Sequence, residues 1–247
     1  LFPYTTLFRS GRQAILSDIV IDATGDADIA YLAGARFRKT KIKDSMAVTT
    51  VFGCSGVNKE KFLNYTKKNT TTYSDWGSDW NQNINEQNSN LPSPYLNFKY
   101  DKNNSFSGSW SSITNAGEAT NLNLVHMKGY DCTNVMDLTM AEIKGRQKVM
   151  DTIHVLKKEV DGFQNAKLRT FGMTLGTRDS RKIIGRYCLT EKDVTGEARF
   201  DDSIGIFPEF IDGYSVLTLP TSGRYFHVPY GCIVSDIDNL LVVGRCC

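Results

Sequence analysis

Residues 18–34, DIVIDATGDADIAYLAG, constrain this chain more than any other stretch. A short apolar run at 19–21 leads to Ala23-Thr24-Gly25, and Asp26-Ala27-Asp28 then opens an Ala-rich segment closed by Gly34. That order predicts a buried strand over 19–23, a tight turn, and a helix with acids in its first turn. Gly25 lacks a Cβ, so at the C-terminal end of a strand it lets the backbone approach a ligand closely. Near the far end, Asp238-Asn239-Leu240-Leu241-Val242-Val243-Gly244-Arg245 repeats the theme, with a strand over 240–243 that ends in glycine.

Composition mainly excludes. A chain of 247 residues with 40% hydrophobic and 23% charged residues has enough apolar content for a buried core. A net charge of +2 without a Lys/Arg tract argues against a nucleic-acid partner. No apolar run approaches the roughly 20 residues that span a bilayer, so no membrane segment is expected. The six cysteines form no C-x-x-C pair, which favours reduced thiols and a cytoplasmic location. Nor do they offer the spacing of an iron–sulfur cluster, and no metal site is expected.

Between the two glycine-ended strands, the pattern predicts a strand over 47–54 and a surface helix over 59–68. The polar stretch 69–94, with Trp76 and Trp80, reads as a long loop or a lid. Further strands are expected over 95–100, 105–113 and 122–127, then 168–177, 182–189 and 225–234. The strongest helix runs over 139–160. Thr139 and Glu142 have capping-box spacing, Ile143, Met150, Ile153, Leu156 and Val160 share one face, and Asp161-Gly162 stops it. Arg146 lies on that face and is expected to find a buried acidic partner.

Two segments could carry chemistry. Gly176 to Gly185 holds Arg178, Arg181 and Lys182 between apolar strands, and convergent guanidinium groups can clamp a carboxylate or stabilise a reduced flavin. The structural alternative is an ion-pair corner with Asp179, Asp193 or Asp201. In the second segment, Arg224 to Cys232, His227 and Tyr230 stand next to a Pro229 turn and offer titratable groups. His154, beside the apolar stripe of the long helix, reads as structural, and His126 ends a strand.

Taken in order, ATGDADIAYLAGA, DLTMAEIKGR, GTRDSRKIIGRYCLTEKDV, HVPYGCIV and DNLLVVGR resemble the FAD-dependent oxidoreductases related to the heterodisulfide reductase A subunit. These are two-dinucleotide-binding-domain flavoproteins. The resemblance implies an α/β fold: an incomplete Rossmann-like FAD domain from 11–45 and 225–247, with an inserted mixed sheet-plus-helix substrate or cap domain over 46–224. It implies FAD as cofactor, held near Ala23, Thr24, Gly25, Asp26, Gly244 and Arg245. Arg245 stands where many relatives of the fold class carry an Asp that holds the ribitol. Arg178, Arg181, His227 and Tyr230 would line the catalytic site. Some members of the family carry iron–sulfur clusters; these cysteines give no support for one.

No G-x-G-x-x-G phosphate cradle occurs. Residues 1–10, LFPYTTLFRS, read as a translated sequencing adapter, an artefactual tail outside the fold. The chain therefore reads as an internal piece of a longer protein, one expected to bind FAD poorly by itself. The expected activity is electron or hydride transfer between a small-molecule substrate and flavin, with a redox partner protein as a further expectation. Two alternatives remain open at this point. One is a non-catalytic electron-transfer or scaffold subunit. The other is a carbohydrate-handling protein that stacks sugars on Tyr73, Trp76, Trp80, Tyr95, Phe98, Tyr100, Phe106 and Trp110.

Overall fold

The computed structural model describes residues 16–69, 95–99, 105–208, 211–212, 217–218 and 223–247. Strand β1 (Val20–Asp22) leads through the Gly25 turn into helix α1 (Asp28–Leu32), and β2 (Phe37–Lys39) follows. The chain then builds β3 (Val48–Ser55), α2 (Lys59–Lys68), β4 (Tyr95–Lys99), β5 (Ser105–Ser109), β6 (Ser112–Ile113) and β7 (Ala119–Met127). The long helix α3 (Val135–Glu159) precedes β8 (Lys167–Phe171), β9 (Arg181–Ile183) and α4 (Glu191–Thr195). Strands β10 (Ser203–Pro208), β11 (Ile211–Asp212), β12 (Leu217–Thr218), β13 (Tyr225–Pro229) and β14 (Leu240–Val242) complete it.

Two cores divide the described residues. The larger belongs to a sheet ordered β4-β5-β7-β3-β8, with β6 on β7, in which every pairing is antiparallel. Helix α3 packs on this sheet and buries Ala141, Gly145, Val149, Ile153 and Leu156, spaced three or four residues apart. Gly145 is the closest point, because a Cβ there would run into the Thr50 hydroxyl of β3. The smaller core lies under the β1–α1 turn and joins Ala27, Ala30, Ala35, Ile183, Leu240 and Val242.

Helix α3 corrects the sequence reading in three ways. It starts at Val135, because the Asn134 side chain accepts from Met136 N (2.9 Å) and Asp137 N (3.2 Å). Thr139 is inside the helix and donates its hydroxyl to Val135 O. The buried stripe is shifted in part: Ile153, Leu156 and Val160 are buried as expected, but Ile143 and Met150 are 48% and 52% exposed, and Ala141, Gly145 and Val149 take the sheet-facing positions. Arg146 has no buried acid; it pairs with partly exposed Glu142 (3.2 Å) and lies 5.3 Å from the Phe171 ring centroid.

Other boundaries follow local geometry. The strand expected over 168–177 ends at Phe171, and Gly176 then forms an isolated antiparallel bridge with Thr49. The strand over 182–189 shortens to β9, and the strand over 225–234 ends at Pro229 in a 3-10 turn, Tyr230–Cys232. Helix α2 spans the expected residues and is capped by Asn58, whose side chain accepts from Lys61 N.

The pairing that positions the site is β1 with β14. They run parallel, with Val20, Ile21 and Asp22 opposite Leu240, Leu241 and Val242. Strands about 220 residues apart in sequence thus lie side by side, and the glycine after each leaves the pair at the same edge.

Candidate functional site

Asp22 organises the glycine turn. Its residue is 1% exposed. One carboxylate oxygen accepts from Thr24 N (2.9 Å) and Thr24 Oγ1 (2.7 Å), and the other accepts from Ala30 N (2.8 Å). The Thr24 hydroxyl also accepts from Asp28 N (2.9 Å). Burial pushes the Asp22 carboxyl pKa up, but the hydrogen bonds from Ala30 and Thr24 outweigh it and hold the pKa below the usual value. The threonine of Ala-Thr-Gly therefore latches a strand-end carboxylate to the start of α1. Asp22 was missing from the sequence-based candidates. Its signal was present in VIDATG: an acid ending an apolar strand, with a hydroxyl residue two positions later, is an Asx-turn pattern.

The turn that follows uses unusual backbone. Gly25 has φ +78°, and buried Ala27 is held at φ 54°, a region that strains a residue bearing a Cβ. On the neighbouring strand Gly244 has φ +96°, with open space where a Cβ would point. Arg245 reaches across from there. Its guanidinium bonds Asp26 Oδ1 (2.5 Å) and Thr177 Oγ1 (2.9 Å), contacts the Thr177 carbonyl, and lies against Gly25. Its Nε is buried without a protein partner.

Arg181 joins the same corner. Only 8% exposed, it bonds Asp28 Oδ1 (2.7 Å) and the Asp26 carbonyl (3.0 Å), with its guanidinium 4.2 Å from the Tyr31 ring centroid. The ion-pair corner is thus real, but its acid is Asp28. Asp179 accepts from Thr40 (3.2 Å), and Asp193 forms a capping box with Thr190 and accepts from Tyr187 Oη (2.9 Å). Lys182 Nζ donates to the Arg245 carbonyl (2.9 Å).

The structure brings Thr24, Gly25, Asp26, Arg181, Gly244 and Arg245 into one corner, with Ala23 exposed at the end of β1. It places the second candidate segment elsewhere. His227 on β13 stands against Phe200, its Nδ1 3.3 Å from the Phe200 amide nitrogen. Tyr230 lines a groove of about 210 Å³ with Ile19, Asn239 and Leu240, at the N-terminal ends of β1 and β14. That end is opposite the two glycines.

A third group lies close to the arginine bend. His126 on β7 faces Thr49, which also bridges to Gly176. Burial, reinforced by the nearby Arg178 charge, lowers its pKa from the ordinary 6.5 to about 4. His126 is therefore a neutral imidazole at physiological pH. The unfolded chain takes up a proton below pH 6.5 that the folded chain refuses until about pH 4. Stability from this group is full above pH 6.5 and is lost as pH falls towards 4, by on the order of 3 kcal/mol. Denaturant titrations from pH 7 to 4 should show this slope, and His126→Gln should flatten it; an unchanged slope in the variant refutes the assignment.

All six cysteines are unpaired. Burial pushes the Cys54 thiol up to about 12 and raises Cys132 and Cys246 as well, so these are protonated thiols. Among the described residues, no three His, Cys, Asp or Glu converge into a group that could hold a metal ion, and no helix is long and apolar enough to cross a membrane.

The two glycines lie at the C-terminal ends of a parallel strand pair, the edge at which open α/β sheets take their ligands. The chain matches the family described as FAD dependent oxidoreductase over residues 4–247. It belongs to that family. The matched span includes residues 4–10 of the segment read as an adapter tail. No curated protein and no solved structure matches the chain.

FAD is the cofactor of this family. At the corner, Gly244 leaves open space beside the backbone where a ligand could approach, whereas the face of Gly25 is covered by the Arg245 guanidinium, itself paired with Asp26. The family places the protein among flavin-dependent redox proteins with an α/β fold, and the parallel β1–β14 pair with α1 is the Rossmann-like element within it.

Proposed function

We propose that this FAD dependent oxidoreductase transfers hydride or electrons between a small-molecule substrate and its flavin, with the β1–β14 glycine edge as the flavin-facing surface. The observation that carries the reading is the parallel pairing of β1 and β14, which sets Gly25 and Gly244 at one edge with Arg245 between them. When bound, FAD supplies the redox chemistry, and the protein supplies position and electrostatics. Asp22 and Thr24 hold the turn in shape, Arg181 fastens α1 to it, and Arg245, paired with Asp26, pins the turn from the β14 side. The Arg178–His126 pair adds a cation and a neutral imidazole next to this bend, groups suited to orienting an anionic substrate.

In this reading 11–45 and 225–247 form the FAD-side unit, and 46–224 form an inserted substrate or cap unit. The antiparallel sheet and α3 support it by building a core of their own, whereas β9, paired with β2, contributes Ile183 to the core under the glycine turn and so packs on the FAD side. A small-molecule substrate and a redox partner protein are the expected partners, and the unpaired thiols favour the cytoplasm.

Purification of the native protein tests the reading. It should carry FAD, visible as flavin absorbance and released on denaturation, and Gly25→Val should lower the bound fraction at least tenfold. A colourless native protein would overturn the proposal. Flavin that a partner protein reduces, but no small molecule does, would favour an electron-transfer subunit instead. For carbohydrate stacking, Trp110 is the one proposed aromatic whose side chain is described, and it packs edge-on to Phe62 at 4.9 Å. Tyr73, Trp76, Trp80 and Tyr100 lie outside the described residues, as do the side chains of Tyr95, Phe98 and Phe106.

A further inference from the structure

Next to the arginine corner lies a small polar pocket, half-open to solvent. It measures about 10 Å³ and is walled by Thr40, Ser45, Asp131, Cys132, Asp179 and Ser180 among others. Cys132 connects it to the site, since its thiol feels the charges of both Asp26 and Arg245.

Most polar groups of these walls are matched within the protein. Asp131 accepts from Lys39 Nζ (2.6 Å) through one oxygen, and from Thr133 N (2.9 Å) and Thr133 Oγ1 (2.7 Å) through the other. Ser45 donates its hydroxyl to the Ile42 carbonyl (2.8 Å), and Thr40 donates to Asp179 Oδ1 (3.2 Å). Ser180 is the exception. It is 3% exposed, and its hydroxyl is buried without a protein partner. A buried hydroxyl left unmatched is destabilising and uncommon in native proteins. A polar cavity of roughly 10–15 Å³ is the size that admits one water molecule, provided two or more polar groups can hold it. Lys39 pairs with Asp131, and Asp179 adds a second carboxylate next to the Ser180 hydroxyl in the chain, so a ligand that both donates and accepts suits these walls.

We propose that this pocket binds one ordered water molecule, held by the buried Ser180 hydroxyl and the Asp179 carboxylate. The water sits just past the β2–β9 ladder, where Lys39 stands opposite Arg181, and adds a tie between two segments. One is the loop carrying Thr40 and Ser45. The other is the bend that delivers Thr177 to Arg245 and Arg181 to Asp28. It is a positioning element for the glycine turn, acting through the arginines.

The sign of one substitution decides the matter. If the water is present, Ser180→Ala removes one of its ligands and strands it, and the melting temperature should fall by roughly 2–4 °C. If the cavity is dry, the same change deletes an unmatched hydroxyl and the melting temperature should stay level or rise. A high-resolution crystal structure should show one isolated density peak at about 2.7–3.0 Å from Ser180 Oγ, absent in Ser180→Ala. A level or raised melting temperature, no peak, or a peak coordinated as a cation would each overturn the proposal.

Discussion

Asp22→Ala should destabilise the protein by about 3–5 kcal/mol, because three donors would lose one buried charged acceptor at once. Thr24 N, Thr24 Oγ1 and Ala30 N all point at this carboxylate from 2.7–2.9 Å. Only the Thr24 hydroxyl can rotate to another partner. Asp22→Asn should cost less, about 1–3 kcal/mol. Its oxygen can still accept from Thr24, but its amide nitrogen would then confront Ala30 N–H, donor against donor. The pKa of Asp22 is lowered in the fold, so its contribution is present above the unfolded value near 4 and is lost as pH falls through the folded value. Denaturant unfolding at pH 7 measures the loss directly. A cost below about 1 kcal/mol for Ala would show that the turn does not depend on this carboxylate. FAD content should fall in the same order, Ala below Asn below wild type.

Phe62→Ala should cost a similar amount, about 3–5 kcal/mol, in the other core. Phe62 is fully buried and stands edge-on to Phe163, with ring centroids 5.0 Å apart, and to Trp110 at 4.9 Å. It is the residue that fastens α2 down. The backbone cannot close over the cavity, since the Gly162 turn already abuts Phe62 so tightly that a Cβ at 162 would lie 2.8 Å from its amide nitrogen. The melting temperature should fall by roughly 6–20 °C. Because Phe62 belongs to the core around the antiparallel sheet and Asp22 to the core under the glycine turn, the two losses should add. A double variant much less stable than the sum would mean that the two cores unfold as one tightly coupled unit.

Local signals in the sequence were dependable where a few neighbouring residues decide the outcome. Asn58 and the polar run after it place α2 over Lys59–Lys68, and Gly162, at φ +96°, stops α3 as its lack of a Cβ suggests. The α3 start shows where that logic weakens. Two cap signals, Asn134 and Thr139, compete within six residues, and the earlier one wins because a helix extends as far as its capping and packing allow. The stripe of α3 is right at Ile153, Leu156 and Val160; at Ile143 and Met150 it fails for a different reason. Periodicity ranks residues by apolarity, whereas packing on a sheet selects Ala141 and Gly145 for closeness and leaves Ile143 and Met150 outside.

At the corner, the turns at Gly25 and Gly244 were legible because glycine after an apolar strand commonly marks a positive-φ turn, which both residues adopt. The partner of Arg181 was not. Proximity along the chain favoured Asp179, Asp193 or Asp201, yet the guanidinium pairs with Asp28, 153 residues away. Nothing local marks a strand-end histidine such as His126; its neutral state comes from burial and from Arg178, 52 residues later in the chain.

The sequence alone determined the two glycine-ended strands, the Ala-Thr-Gly turn and the flavin family, since each rests on residue types in a fixed local order. Tertiary structure decided that those strands lie parallel, that Arg245 and Arg181 converge on one turn, and that Tyr230 sits at the opposite end of the strand pair. The reason is range. Backbone conformation is set by neighbours in the chain, but ion pairs and strand order depend on which distant segments the two cores bring into contact.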